Sequence, residues 1–336
     1  MHNSQDFAPE PRIFLATQQD TELATEYDSC IHAFRSSNAD RDVAWVETPD
    51  KANCIILFEE WSTKFWNYPQ TLLADPFFIK YWQSIVTINC DDLGRGFLPG
   101  CYTSLIPANF DSTLHCASAY PYTYNHLVQQ TQSYQSPESK WLFSFRGNRG
   151  VHVIRSRLFE LFASFPDALM VDVGTRFHTH TCEQKATYIA DVLASKFVLC
   201  PRGWGPATYR MFEVMELGRC PVIISDDWIP IEGIDWAKCA LFVRERNIAA
   251  IPNLLRDRES EAKVLGENAR AIWLAHFSDR QKFRHMFDCA MKINRNLQKS
   301  IVDYRTRWNS WGFYRSNGWL LYQRVGARAA RLTVRV

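Results

Sequence analysis

Between residues 141 and 243, apolar runs of strand length alternate with segments of helical period, and this alternation restricts the fold more than any other feature. The strand-like runs are residues 141–145, 168–173, 197–200, 221–225 and 240–243, and helical patterns occupy 151–165, 183–194 and 207–217. Parallel strands need crossover connections, so the pattern predicts a parallel sheet covered by helices on both faces. Helical patterns at 248–255, 260–276 and 279–294 complete this half.

The first half carries apolar runs at 13–16, 43–46, 54–58 and 84–89, separated by longer mixed segments that suit crossover helices, among them the aromatic-rich stretch 61–82. Residues 91–139 are rich in Gly, Pro, Ser, Thr and Tyr and read as loops. With 336 residues, two domains are expected, and the boundary falls near 135–140. The division is an N-terminal domain at 1–139, a second domain at 140–295 and a C-terminal tail at 296–336.

Apolar residues make up 46% of the chain and charged residues 22%, which excludes collagenous, disordered and small disulfide-scaffold classes. The ten cysteines include no CxxC pair and several sit inside apolar runs, so they read as buried thiols of a reducing cytosol. The first ten residues are polar and acidic, without the pattern of a secretory signal, and no apolar run reaches membrane-spanning length. A cytoplasmic protein is expected.

Ligands of open parallel sheets collect at the carboxyl ends of the strands. Three such ends here carry chemistry. Arg146-Gly147-Asn148-Arg149-Gly150 follows the run 141–145, with Arg155 and Arg157 behind it. Pro201-Arg202-Gly203-Trp204-Gly205-Pro206 follows 197–200 and opens a helix, and Asp226-Asp227 follows 221–225. Two glycines let backbone amides approach an anion, and a helix N-terminus favours negative charge, so the second loop reads as a phosphate seat. Arg210 and Glu213 share one helical face; arginines pair bidentately with a diphosphate, and Glu213 can accept ribose hydroxyls. The donor-binding set is Arg146, Arg149, Arg202, Gly203, Trp204, Gly205, Thr208, Arg210, Glu213, Ser225 and Asp226.

The segment from Ser195 to Trp228, SKFVLCPRGWGPATYRMFEVMELGRCPVIISDDW, resembles the exostosin (glycosyltransferase family 47) domain, as do Phe145-Arg146-Gly147 upstream and Ile234-Asp235-Trp236 downstream. The resemblance covers residues 141–277. It implies an α/β fold of GT-B architecture, with two Rossmann-like domains facing across a cleft. It also implies inverting transfer from a nucleotide sugar, a UDP-sugar in preference, with no separate cofactor. In the broader GT-B pattern a glutamate contacts the donor ribose, which falls on Glu213. Many retaining GT-B enzymes carry a second glutamate eight residues earlier, where this chain has Gly205.

Inversion needs a base on the facing domain. Asp91 and Asp92, after the run 84–89, are the first choice, and Glu59 and Glu60 the second. Each Asp also reads as a turn or capping residue. The arginines and loop amides would neutralise the leaving diphosphate, so no metal is expected. His178, His180 and Cys182 alternate as zinc ligands do, but a closed site needs a fourth ligand. Asp226-Asp227 imitates the metal-binding carboxylates of GT-A enzymes, against which the Arg-Gly loop argues.

Residues 304–336 hold seven Arg and no Lys, Asp or Glu, interleaved with aromatics. Such a tail suits an anionic membrane surface or packing back onto the N-terminal domain; the same composition suits single-stranded nucleic acid, a partner not expected here. The expected protein is a glycosyltransferase peripheral to the inner face of the membrane, with a glycan or lipid-linked glycan acceptor. Its alternatives are a sugar-nucleotide epimerase or hydrolase on the same scaffold, or a non-catalytic nucleotide- or glycan-binding module.

Overall fold

The computed structural model describes residues 10–17, 24–59, 68–92, 95–131, 139–174, 179–300, 303–313 and 315. Two parallel sheets divide the chain. The first comprises β1 (Arg12–Thr17), β2 (Ala44–Trp45), β3 (Cys54–Glu59), β4 (Ile85–Asn89), β5 (Gly100–Tyr102) and β6 (His115–Ala117), in the order β2-β1-β3-β4-β5-β6. The second comprises β7 (Trp141–Gly147), β8 (Ala168–Asp172), β9 (Ser195–Pro201), β10 (Cys220–Ile224) and β11 (Leu241–Phe242), in the order β11-β10-β9-β7-β8. Every pairing is parallel. The chain therefore has two Rossmann-like α/β domains, as expected.

In the first domain the helices are α1 (Ala24–Ser37), α2 (Tyr68–Ala74) and α3 (Pro76–Tyr81), whereas α4 (His126–Gln130) packs through Val128 into the core of the second. The second carries α5 (Val153–Phe162), α6 (Cys182–Leu193), α7 (Tyr209–Glu216), α8 (Ile251–Asp257) and α9 (Ala262–His276), and α10 (Asp279–Lys299) follows. Side chains along β9 alternate between the two faces of the second sheet: Phe197 and Leu199 pack with Phe145, Ile154 and Leu158, whereas Val198 and Cys200 pack with Met211 and Met215. Period-two alternation with both faces apolar is what a sheet covered on both sides requires.

Two differences from the sequence reading concern the first domain. Residues 91–139 were expected to be loops, yet β5 and β6 lie within them. Each is three residues long, and β5 begins with a glycine, a residue that signals turns. Here Gly100 serves close packing, because a Cβ on it would lie 2.1 Å from the Thr87 carbonyl oxygen. The other difference is α10, drawn by sequence into the second domain. Its buried face, including Phe283, Met286, Phe287, Ile293 and Leu297, joins the core of the first, with the Phe34 ring on α1 set edge-on to Phe283 at 6.0 Å.

The tail doubles back over its described part. Tyr304, Trp308 and Phe313 are buried in the first core. The Trp308 indole donates to the Phe97 carbonyl at 3.0 Å, and the Tyr304 hydroxyl to that of Trp82 at 3.2 Å. Arg305 lies over the Trp82 ring and pairs with Asp303, and Arg307 pairs with Asp111. Residues 316–336 and the question of a membrane surface lie outside the described residues. No helix among the described residues is long and apolar enough to cross a membrane.

Candidate active site

The turn at 201–206 leaves the end of β9 and reaches the facing domain. Gly205 packs so closely that a Cβ on it would lie 2.1 Å from the Asp92 carbonyl oxygen and 2.8 Å from the Ser104 hydroxyl. This contact brings the expected phosphate seat against the expected base loop.

Arg202 is the centre of the basic cluster, and its side chain is only 1% exposed. Its Nη1 pairs with Asp227 at 2.7 Å and Glu245 at 3.4 Å, while Nε and Nη2 are buried without a hydrogen-bond partner among the described residues. Buried donors left unpaired are costly, and for a cation an arriving anion removes that cost. Arg155 clamps the turn from α5, donating to the Arg202 carbonyl at 2.9 Å and to the Pro201 carbonyl at 3.2 Å. Burial and the nearby Arg210 charge push the Arg155 guanidinium down to about 9.

Arg210 donates to the Arg146 carbonyl and stacks over the Phe145 ring at 4.6 Å, with its Nε and Nη1 likewise buried and unpaired. On the same helical face, half-buried Glu213 is raised above the ordinary carboxylate range by burial and opposed by the Tyr188 hydroxyl and the Arg210 charge. Thr208 caps α7 by backbone position without a side-chain capping bond. Gly203 is buried and Trp204 is 46% exposed at the tip of the turn. The Ser225 hydroxyl is buried and unpaired. Asp226 is exposed and exchanges backbone-to-carboxylate bonds with Glu245.

Two expected arginines stand apart. Arg146 is ion-paired with Asp191 at 2.6 Å, both largely buried, so its charge is already matched. Arg149 is exposed and lies over the Phe159 ring at 5.8 Å. What the first loop contributes instead is a residue sequence reasoning overlooked. His152 caps α5 by accepting from the Ile154 amide through Nδ1 at 3.3 Å and is 8% exposed.

On the first domain, Asp92 accepts at Oδ1 from the Tyr120 hydroxyl at 2.5 Å and from Ser104 at 3.0 Å. Both bonds fall on one oxygen, which leaves Oδ2 to meet a substrate. Burial raises the carboxyl above its ordinary range, partly offset first by the Tyr120 bond, then by the Ser104 bond and the Arg155 charge. Asp91 beside it has a buried Oδ2, and its amide is held by the Asn89 side chain at 3.1 Å. Glu59 is fully buried and accepts from Asn89 at 3.3 Å, which removes it from the cleft; Glu60 lies outside the described residues.

Tyr120, Tyr122 and Tyr124 form the seam between the domains, again unmarked in sequence. Tyr120 stacks on Tyr209, the first residue of α7, at 3.5 Å, and Tyr124 meets the same ring edge-on at 4.1 Å. The helix that carries Arg210 and Glu213 is thus seated on the residue that holds Asp92. Among the described residues no group of three His, Cys, Asp or Glu could hold a metal ion. His178 is not among them, and Cys182 begins α6, exposed.

Residues 103–257 match the model of the Exostosin GT47 domain. Just under half of the chain is thus similar to that domain. That match begins just after β5, takes in β6 upstream of the resemblance at 141–277, and ends at 257. The chain is 26% identical over 273 residues to a protein of Oryza sativa subsp. japonica described as "Probable glucuronosyltransferase GUT1", covering 68% of this chain and 62% of that one. It is 32% identical over 157 residues to the "Exostosin-1 homolog" of Caenorhabditis elegans, covering 41% of each. The chain thus spans less than two thirds of the length of these curated relatives. A solved alpha1,3-fucosyltransferase aligns with a TM-score of 0.43 at 11% identity, over 88% of this chain and 92% of that one. Anabaena Alr3699/HepE in complex with UDP-glucose aligns at 0.40 and 11%, over 86% and 99%.

Proposed function

We propose that the chain is a glycosyltransferase that moves a sugar from a nucleotide diphosphate donor, a UDP-sugar in preference, to a hydroxyl of a glycan or lipid-linked glycan, inverting the anomeric centre. The observation that carries the reading is the contact of the Arg202-Gly203-Trp204-Gly205 turn with Asp92. That contact sets the loop bearing Asp92, a carboxylate of raised proton affinity, beside the turn that bears the buried donors of Arg202. Relatives named as glucuronosyl- and xylosyltransferases support donors of that chemical class.

In this reading the donor diphosphate lies against Arg202, Arg210 and the amides of the turn, which stabilise the charge that develops as the anomeric bond breaks. Glu213 takes the ribose hydroxyls. Asp92 Oδ2 accepts the proton of the acceptor hydroxyl as that oxygen attacks the anomeric carbon from the face opposite the diphosphate. Proton affinity above the ordinary carboxylate range suits a base, because a weakly basic carboxylate would gain little by taking the proton. The arginines take the place a metal ion holds in other transferases, so transfer is expected to survive chelation.

The test is product analysis. The protein is incubated with UDP-, GDP-, CMP- and dTDP-sugars, with and without oligosaccharide acceptors. An extended glycan of inverted anomeric configuration together with free nucleoside diphosphate is the expected result. Donor epimerised without acceptor, or donor bound and returned unchanged, would replace the reading with an epimerase or a binding module. Placement at the inner face of a membrane is part of the proposal and is checked by flotation with anionic vesicles.

A further inference from the structure

His152 has no part in the reading above, yet it feels the charges of two arginines of the second domain's basic cluster. It is 8% exposed and carried on the N-cap of the ten-residue helix α5. The same helix is bolted to the phosphate-seat turn through Arg155, whose Nε and Nη2 bond the carbonyls of Arg202 and Pro201. Nδ1 accepts from the Ile154 amide, which assigns the ring proton to Nε2 and leaves that nitrogen a donor. The charges of two guanidinium groups act on the ring, Arg202 on the turn and Arg155 on its own helix. Behind them stand Asp92 and Arg210 near Arg155, and Asp227 and Glu245 on Arg202.

Burial and these two cations hold the imidazole neutral, down to about 3. The arrangement is unfavourable for one more positive charge in the empty protein and favourable once an anion is present. Arg202 supplies the independent sign of such an anion, since it is 1% exposed with Nε and Nη2 buried and unpaired. A diphosphate resting on these donors reverses the local field, and the second charge it brings is not matched by Arg202 alone.

We propose that His152 is a ligand of the donor's diphosphate, donating from Nε2 and taking up a proton as the anion seats. The inference rests on the donor reading above and adds to it a residue and a proton. The proton comes from solvent, bonds to Nδ1 as the capping bond to Ile154 is released, and leaves with the product diphosphate.

The test is titration calorimetry of the whole chain with UDP-glucose, UDP-glucuronate and UDP-xylose at pH 6.5, in two buffers of different ionisation enthalpy. These diphosphate diesters do not themselves titrate near that pH, so proton exchange reports the protein. The expected result is net proton uptake by the wild type and a clear loss of it in His152→Gln, which keeps an N–H donor. Binding by that variant should weaken by about tenfold. The paired comparison is needed because Asp92 also faces the site. Binding without uptake, or uptake unchanged in His152→Gln, overturns the role of His152 and leaves the donor site standing. Failure of all three probes to bind wild type of normal circular dichroism overturns both.

Discussion

Gly205 and Asp92 meet across the two domains at a distance that admits no side chain: a Cβ at position 205 would lie 2.1 Å from the Asp92 carbonyl oxygen. The obstacle is backbone, which cannot swing aside as the end of a flexible side chain can. Gly205→Ala should therefore part the phosphate-seat turn from the base loop, at a stability cost of about 1–3 kcal/mol. Displacement of reacting groups by about 1 Å costs on the order of 100-fold in rate. Thermal melting and turnover measured together check both, and a variant with wild-type turnover would mean that the contact is not part of the reacting geometry.

Asp92→Asn separates catalysis from stability. The substitution keeps an oxygen to accept from Tyr120 and Ser104 but cannot take a proton. Transfer should fall by about 10²–10⁴-fold. Burial makes the charged carboxylate unfavourable in the fold, with its proton affinity raised, so above the ordinary carboxylate range the native protein carries a penalty that the amide removes. The melting temperature at neutral pH should be unchanged or higher. A large loss of stability with activity retained would assign Asp92 to structure.

Tyr120→Phe tests the environment of that carboxylate rather than the group itself. The phenyl ring can keep the stack on Tyr209, while the bond to Asp92 is lost. Since that bond lowers the carboxyl's proton affinity, its removal raises the affinity further. The acidic limb of the pH profile of kcat should shift to higher pH, with the plateau reduced far less than by Asp92→Asn. A profile that does not move would place the base elsewhere.

Acid stability follows from two buried histidines. His115 is held down to about 3 by burial and then by the Arg307 charge, and His152 to about 3 by burial and the charges of Arg202 and Arg155. Both bind a proton in the unfolded chain near 6.5 but stay neutral in the fold, so the stability this gives is complete above 6.5 and is lost as pH falls toward 3. Two protons correspond to a slope of at most about 2.7 kcal/mol per pH unit within that window. Denaturant titrations between pH 7 and 4 on wild type and on His115→Gln check the count, the variant losing about half the slope.

The second domain was legible because its strands are long, apolar and punctuated by helical segments, and the Arg-Gly turn stood out as an arginine and two glycines ahead of a helix. β5 and β6 escaped because three residues containing Gly100 or His115 carry no period. Helical period showed that α10 has an apolar face, but a period does not name the partner, and the first core claims that face. The same limit applies to the site. The pairing of Arg146 with Asp191 and of Asp92 with Tyr120 joins residues 45 and 28 positions apart, so neither leaves a trace in local pattern. His152 left a fainter signal, a polar residue at the N-cap position behind a loop already rich in arginine.

The described part of the tail makes the last prediction. Trp308 is 3% exposed, stacks on Phe78 at 5.9 Å and meets Phe97 edge-on at 6.2 Å. Its indole N–H is satisfied by the Phe97 carbonyl. Phe97 lies in the segment that leads from Asp92 into β5, so the tail buttresses the base loop from behind. Trp308→Ala should cost about 3–5 kcal/mol by lost burial and the cavity left. The accompanying loss of support for residues 91–97 should lower kcat more than donor affinity, because the proposed donor site belongs to the other domain. Trp308→Phe keeps most of the packing and should recover most of both. If truncation at residue 303 left stability and kcat intact, the packing would be incidental and the tail's function would have to be sought in its remaining arginines.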